Sequence, residues 1–176
     1  ILLLGSNLWY FGDGLLGPLF AVFAGKVGGD VLDISWAWAV YLVISGFAII
    51  AVGRISDRIS KEIMMLFGYA LNAILTFAYV FVTTPQQLFL LQAAFGLAVA
   101  LATPTWDALY DQYSKSGKRG ATWGIADGTP KITIGVAAFV GGFIVTEFSF
   151  NTLFILMGCV QLLATYVQLR VLYKAR

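Results

Sequence analysis

Histidine is absent from the 176-residue sequence, and cysteine occurs once, as Cys159. Without histidine there is no imidazole base for a catalytic triad, and the commonest metal ligand is missing. A single cysteine closes no intrachain disulfide. The sequence also lacks a G-x-S-x-G segment and any signature of paired catalytic aspartates. An enzyme is therefore not expected, nor a metal site, a cofactor or a nucleic-acid partner. Charge is scarce as well. Asp, Glu, Lys and Arg make up 11% of the chain, whereas a soluble domain carries about 25%. So few charges cannot coat a globule, and much of the surface must face lipid.

What the chain has instead is apolar length: 60% of its residues are hydrophobic and the mean hydropathy is +0.86. A helix needs about 20 mostly apolar residues to cross the hydrocarbon core. The apolar runs divide into six, near 1–24, 34–52, 62–83, 86–113, 120–147 and 151–173. They are continuous rather than alternating, which argues against a membrane β-barrel. The first has no basic leader and no small-residue cleavage site, so it reads as a span and not as a signal peptide. No Pro-, Ser- or Gly-rich linker interrupts the chain. The expectation is an all-α integral membrane protein, with residues 1–176 forming one six-helix domain in a bilayer.

The basic residues orient it. Arg54, Arg58 and Lys61 lie between spans two and three, Lys115, Lys118 and Arg119 between four and five, and Arg170, Lys174 and Arg176 at the end. All fall on one side, against Lys26 in the opposite loops, and basic loops stay cytoplasmic. Both termini are thus expected on the cytoplasmic face of the cell membrane.

Several polar residues interrupt the apolar runs. Span one holds Asn7, Trp9 and Asp13, the last between Gly12 and Gly14 and followed by Gly17-Pro18. An isolated carboxylate next to Gly and Pro suggests a flexible helix with free carbonyls, a setting for a substrate or a proton. Trp9 and Tyr10 offer faces for a sugar ring or an apolar solute. In span five, Asp127 and Lys131 are four apart and share a helix face, with Pro130 between them removing one helical hydrogen bond. Charges at membrane depth are costly unless paired or watered, which marks both as candidate cavity residues. Asn72 and Gln92 are polar groups able to bond across helices. Gly120, Gly124 and Gly128 form a small-residue stripe that permits close helix packing.

Two segments carry a family resemblance. Gly53, Asp57, Arg58 and Lys61, between spans two and three, are similar in type and spacing to the cytoplasmic loop signature of the major facilitator superfamily. The fourth span runs from Gln92 through Gly96, Ala100 and Pro104 to Asp111 and then Lys118-Arg119-Gly120, which resembles that family's fourth-span pattern. The resemblance implies a six-helix half of such a transporter, built of two three-helix repeats, about 1–84 and 85–176. It also implies alternating access, with Gly53, Asp57, Arg58 and Asp111 as a cytoplasmic gate in which Asp111 pairs with Arg58. Two departures matter. Gln92 stands where drug exporters carry a proton-coupling arginine, and Gly141-Gly142 lacks the proline of the antiporter signature. The expected function is transport of a small organic solute, sugar-like or otherwise polar, by a homodimer or by pairing with a second six-helix half, with protons as a possible coupling ion. A multidrug/proton exporter and a non-transporting sensor or scaffold are the alternatives.

Overall fold

A computed structural model describes residues 1–56, 58–114 and 119–174, the last without its side chain. Asp57, Lys115, Lys118 and Arg176 lie outside the described residues. The described residues form seven α-helices: α1 (Leu2–Leu16), α2 (Leu19–Lys26), α3 (Val31–Ser56), α4 (Lys61–Ala78), α5 (Pro85–Tyr113), α6 (Arg119–Glu147) and α7 (Phe150–Lys174), with a 3-10 turn at Tyr79–Phe81. Among the described residues no strand is present.

Among the described residues five helices are long and apolar enough to cross a membrane, and α1 with α2, bent by 50°, is long and apolar enough to make a sixth if the two are one span. The bend has a local cause. Pro18 has no N–H to offer the Gly14 carbonyl, so the ladder breaks there after Gly17 N–H has reached Asp13 O at 3.3 Å.

The helices start where side chains satisfy their first N–H groups. Asp30 and Asp33 cap α3 reciprocally, with Asp33 N–H donating to Asp30 Oδ1 at 2.8 Å and Asp30 N–H to Asp33 Oδ2 at 3.1 Å. That box starts α3 at Val31, three residues ahead of its apolar core. Ser60, Thr84 and Ser149 accept from Ile63, Gln87 and Thr152 and cap α4, α5 and α7 in the same way.

Packing is uneven. Helices α4, α5 and α7 have 39–50% of their apolar segments buried, against 11% for α3 and 17% for α6. Two clusters form the interior. Toward the end of the bundle away from the chain termini, Phe23, Tyr79, Phe95, Phe150 and Phe154 interlock, Tyr79 stacking on Phe154 at 4.9 Å and on Phe95 at 5.4 Å. Toward the terminal end, Trp9, Met65, Tyr69, Leu109 and Ala164 pack together, with Trp9 edge-on to Tyr69 at 4.2 Å.

Helix α1 is held on two sides by glycine contacts. Along α7, a Cβ on Gly5 would fall 2.5 Å from the Gln168 side chain, and one on Gly12 would fall 2.8 Å from that of Gln161. Along α6, a Cβ on Gly14 would come within 2.9 Å of the Ile134 Cα, and one on Gly141 would run into the Leu15 carbonyl. Helix backbones that approach this closely require residues without side chains.

Candidate functional site

The bend in span one places Asp13 one turn before the break, with its side chain exposed to two cavities. The larger, of about 280 Å³, lies among α1, α2, α3, α4, α5 and α7 and is lined by Asp13, Asn72, Thr76 and Gln92 with an aromatic wall of Phe20, Trp38, Tyr41, Tyr79 and Phe95. The smaller, of about 190 Å³, extends toward the terminal end and is lined by Ser6, Trp9, Tyr10, Tyr69, Trp106 and Asp107 as well as Asp13. Asp13, Tyr41 and Val99 border both. They form the partition between a chamber on one side and a chamber on the other.

The carboxylate is held from two helices. Trp9 Nε1–H, one turn back on α1, donates to Oδ2 at 2.7 Å. Gln161 Nε2 on α7 donates to Oδ1 at 2.9 Å and to the Trp9 carbonyl at 3.2 Å. Seven residues on, Gln168 repeats the arrangement and donates to the Leu2 carbonyl at 3.2 Å and to the Tyr69 hydroxyl at 3.1 Å. Each glutamine amide sits in the notch left by a glycine of α1, Gln161 at Gly12 and Gln168 at Gly5. The upper rung of this ladder fixes the orientation of Asp13.

Asn72, on α4, is 1% exposed, and neither its Oδ1 nor its Nδ2 has a hydrogen-bond partner. Gln92, on α5, is buried at the same cavity. Among the described residues no lysine or arginine lines either cavity, and no ion pair involves Asp13.

The other candidates sit elsewhere. Asn7 bridges α1 to α6, its Nδ2 donating to Leu3 O at 2.7 Å and to Thr129 Oγ1 at 3.1 Å, while Thr133 Oγ1 donates to its Oδ1 at 3.0 Å. It lines neither cavity. Asn7→Ala is expected to loosen α1 from α6 and to cost about 1–2 kcal/mol, read from the unfolding midpoint in detergent. Asp127 and Lys131 are exposed on α6, two residues out of phase with Thr129 and Thr133 and therefore on the side turned away from α1. Lys131 Nζ donates back to the Asp127 carbonyl at 2.9 Å, not to its carboxylate. Gly124, Gly128, Gly135 and Gly142 open on the same side of α6, and a Cβ at any of them would meet nothing within 4 Å.

Comparison with known proteins matches the geometry. The family model of the Major Facilitator Superfamily covers residues 2–175. The chain belongs to the major facilitator superfamily. It is 23% identical over 156 residues to the uncharacterized MFS-type transporter MJ1560 of Methanocaldococcus jannaschii, covering 89% of this chain and 40% of that protein. It is 20% identical over 145 residues to the uncharacterized MFS-type transporter YitZ of Bacillus subtilis, covering 82% of this chain and 88% of that protein. The chain thus spans under half the length of the first relative and most of the second.

As a member of this superfamily the chain is a multi-pass, all-α membrane protein of half-transporter size. Its loop signature falls partly outside the described residues, because Asp57 does. Gly53 lies near the end of α3, open on its Cβ side. Arg58 is exposed in the turn after α3, where its N–H donates to Ile55 O at 2.9 Å, and Asp111 is exposed near the end of α5. Among the described residues no ion pair joins Arg58 to Asp111.

Sequence reasoning passed over Asp107, Gln161 and Gln168. Asp107 is a third exposed carboxylate inside a span and lines the smaller cavity. The glutamines carried a signal, since the seven-residue spacing of Gln161 and Gln168 on α7 equals that of Gly5 and Gly12 on α1.

Proposed function

We propose that the chain is one six-helix unit of an alternating-access transporter for a small organic solute, completed by a second copy of itself. The observation that carries the reading is Asp13, a carboxylate without a counter-charge, at the partition between two chambers that lie along the same helix. A group in that position meets solute or proton from either side in turn, which is what alternating access requires of a coupling site.

Three features support the pairing. Helix α6 turns Asp127, Lys131 and a row of open glycines away from the bundle, and intramembrane charges are retained where a partner or a watered cavity receives them. The sparse burial of α3 and α6 leaves the same two helices for a second unit. A relative named as an MFS-type transporter is itself of comparable length to this chain. A two-fold pair presents the same surface twice, so Asp13, Asp127 and Lys131 each face the shared path in duplicate.

The packing also supports two three-helix repeats, near 1–84 and 85–176. Helix α1 packs on α6 as α5 packs on α3, α4 packs on α5 as α7 packs on α1, and α4 meets α7. Exchanging the first three spans for the last three leaves this pattern unchanged. The basic loops put both termini in the cytoplasm. Arg58 and Asp111, unpaired as described here, come together with Asp57 in the state that closes the cytoplasmic side.

The test is solute flux into proteoliposomes containing the chain, with a hexose, a neutral aromatic alcohol and an organic amine as probes. Saturable uptake of one probe is expected, falling about tenfold in Asp13→Asn as a hydrogen-bonded charge on the cavity wall is removed. Cross-linking in the same membranes is expected to trap dimers. Uptake unchanged by Asp13→Asn would remove Asp13 from the path, and exclusively monomeric product would remove the pair. Binding without flux would make the chain a sensor.

A further inference from the structure

The larger cavity makes specific demands on its occupant. Asp13 already accepts one hydrogen bond on each oxygen, from Trp9 and Gln161. Both donors are neutral, so they orient the carboxylate without cancelling its charge. A carboxylate offers about four acceptor sites, which leaves roughly two open. Asn72 belongs to the same wall, but its Oδ1 and Nδ2 are buried away from the cavity. Around Asp13 stand the rings of Trp38 and Tyr41, whose electron-rich faces attract cations, whereas the ring of Tyr79 is already stacked on Phe95 and Phe154.

Three classes of solute answer these demands unequally. A sugar brings no charge to Asp13. An amino acid brings an ammonium together with a carboxylate, and no basic side chain lines the cavity to receive the second. A protonated amine with an aromatic ring brings the one charge Asp13 lacks and a face for Trp38 and Tyr41. At about 280 Å³ the cavity lies at the small end of ligand pockets, roughly 300–1,000 Å³, so a single ring is the fitting size.

We propose that the cavity between α1, α3, α4, α5 and α7 binds a small protonated amine, its ammonium on Asp13 and its ring against Trp38 and Tyr41. The lining residues named here all belong to one six-helix unit. The proposal rests on the transport reading only for naming the bound amine as the carried solute.

Tyramine, tyrosol and tyrosine share one phenol ring and differ at the other end in carrying an ammonium, a hydroxyl or a zwitterion. Binding of each to the chain in lipid nanodiscs, followed by calorimetry, isolates the charge. Tyramine is expected to bind about tenfold or more tighter than either of the others, the size of a lost buried charge contact. Asp13→Asn is expected to erase the preference for tyramine over tyrosol. Tyrosol binding as tightly as tyramine overturns the proposal, as does the absence of saturable tyramine binding or a preference that survives Asp13→Asn. The three-ligand series on the unaltered chain decides the charge requirement even where a variant fails to fold. Flux separates the two readings. Tyrosol carried as well as tyramine removes the amine and keeps transport, whereas tyramine bound but never carried keeps the site and removes transport.

Discussion

Replacing Gly141 by alanine is expected to destabilise the bundle by about 3 kcal/mol, the upper part of the range for overpacking a close-packed interior. The three nearest atoms to the new Cβ would be the carbonyl oxygen, carbonyl carbon and Cα of Leu15, all main chain. A flexible side chain can swing away from such a contact, but a helix backbone cannot. Helix α1 would have to move off α6 at Leu15, two residues beyond Asp13, taking the wall of both cavities with it. The neighbouring position is the control. A Cβ on Gly142 meets nothing within 4 Å, so Gly142→Ala should leave the single unit as stable or, through helix propensity, up to about 1 kcal/mol more stable. Unfolding midpoints of the two variants in detergent decide the matter, and equal midpoints would mean that α1 and α6 are not in the contact described.

The same pair of glycines shows what could be read from the sequence. Both stand in one apolar run, and nothing in the run tells which of them faces a neighbouring helix and which faces outward. The spans themselves were legible because length and hydropathy are properties of a segment alone, and the six runs correspond to the five long helices and the bent pair. The break at Gly17-Pro18 was legible for the same reason, since it follows from the missing N–H of one residue. Asp13 stood out as a lone charge in an apolar segment. Its partners did not, because Gln161 lies 148 positions away and meets Asp13 only once α1 and α7 run antiparallel. Asn7 looked as polar as Asp13, yet its amide is engaged by Thr129 and Thr133. Polarity at membrane depth announces that a partner exists; whether that partner is another helix or a solute depends on the packing.

Helix α1 carries a built-in comparison that separates structural from functional contributions. Gly5→Ala and Gly12→Ala each push a methyl into a glutamine amide, of Gln168 in the first case and of Gln161 in the second. Each displaced amide gives up two hydrogen bonds, so both variants should lose about 1–3 kcal/mol of stability. Their consequences for function should differ. Displacing Gln168 frees the Tyr69 hydroxyl, leaves Leu2 O with its bond from Trp106 Nε1, and leaves Asp13 held by Trp9 and Gln161. Displacing Gln161 leaves the carboxylate anchored on one oxygen only, free to rotate about the Trp9 indole and away from the geometry in which it faces both chambers. Gly12→Ala is therefore expected to lower solute uptake about tenfold, in line with the loss expected when a positioned group is released, while Gly5→Ala leaves uptake within about twofold of the unaltered chain. Gln161→Glu sharpens the comparison, because it sets a second carboxylate against Asp13 in place of an amide donor and should impair uptake at neutral pH more than Gln161→Leu does. Parallel losses of uptake in the two glycine variants, each tracking its own loss of stability, would reduce the glutamine ladder to a packing device and remove Gln161 from the transport path.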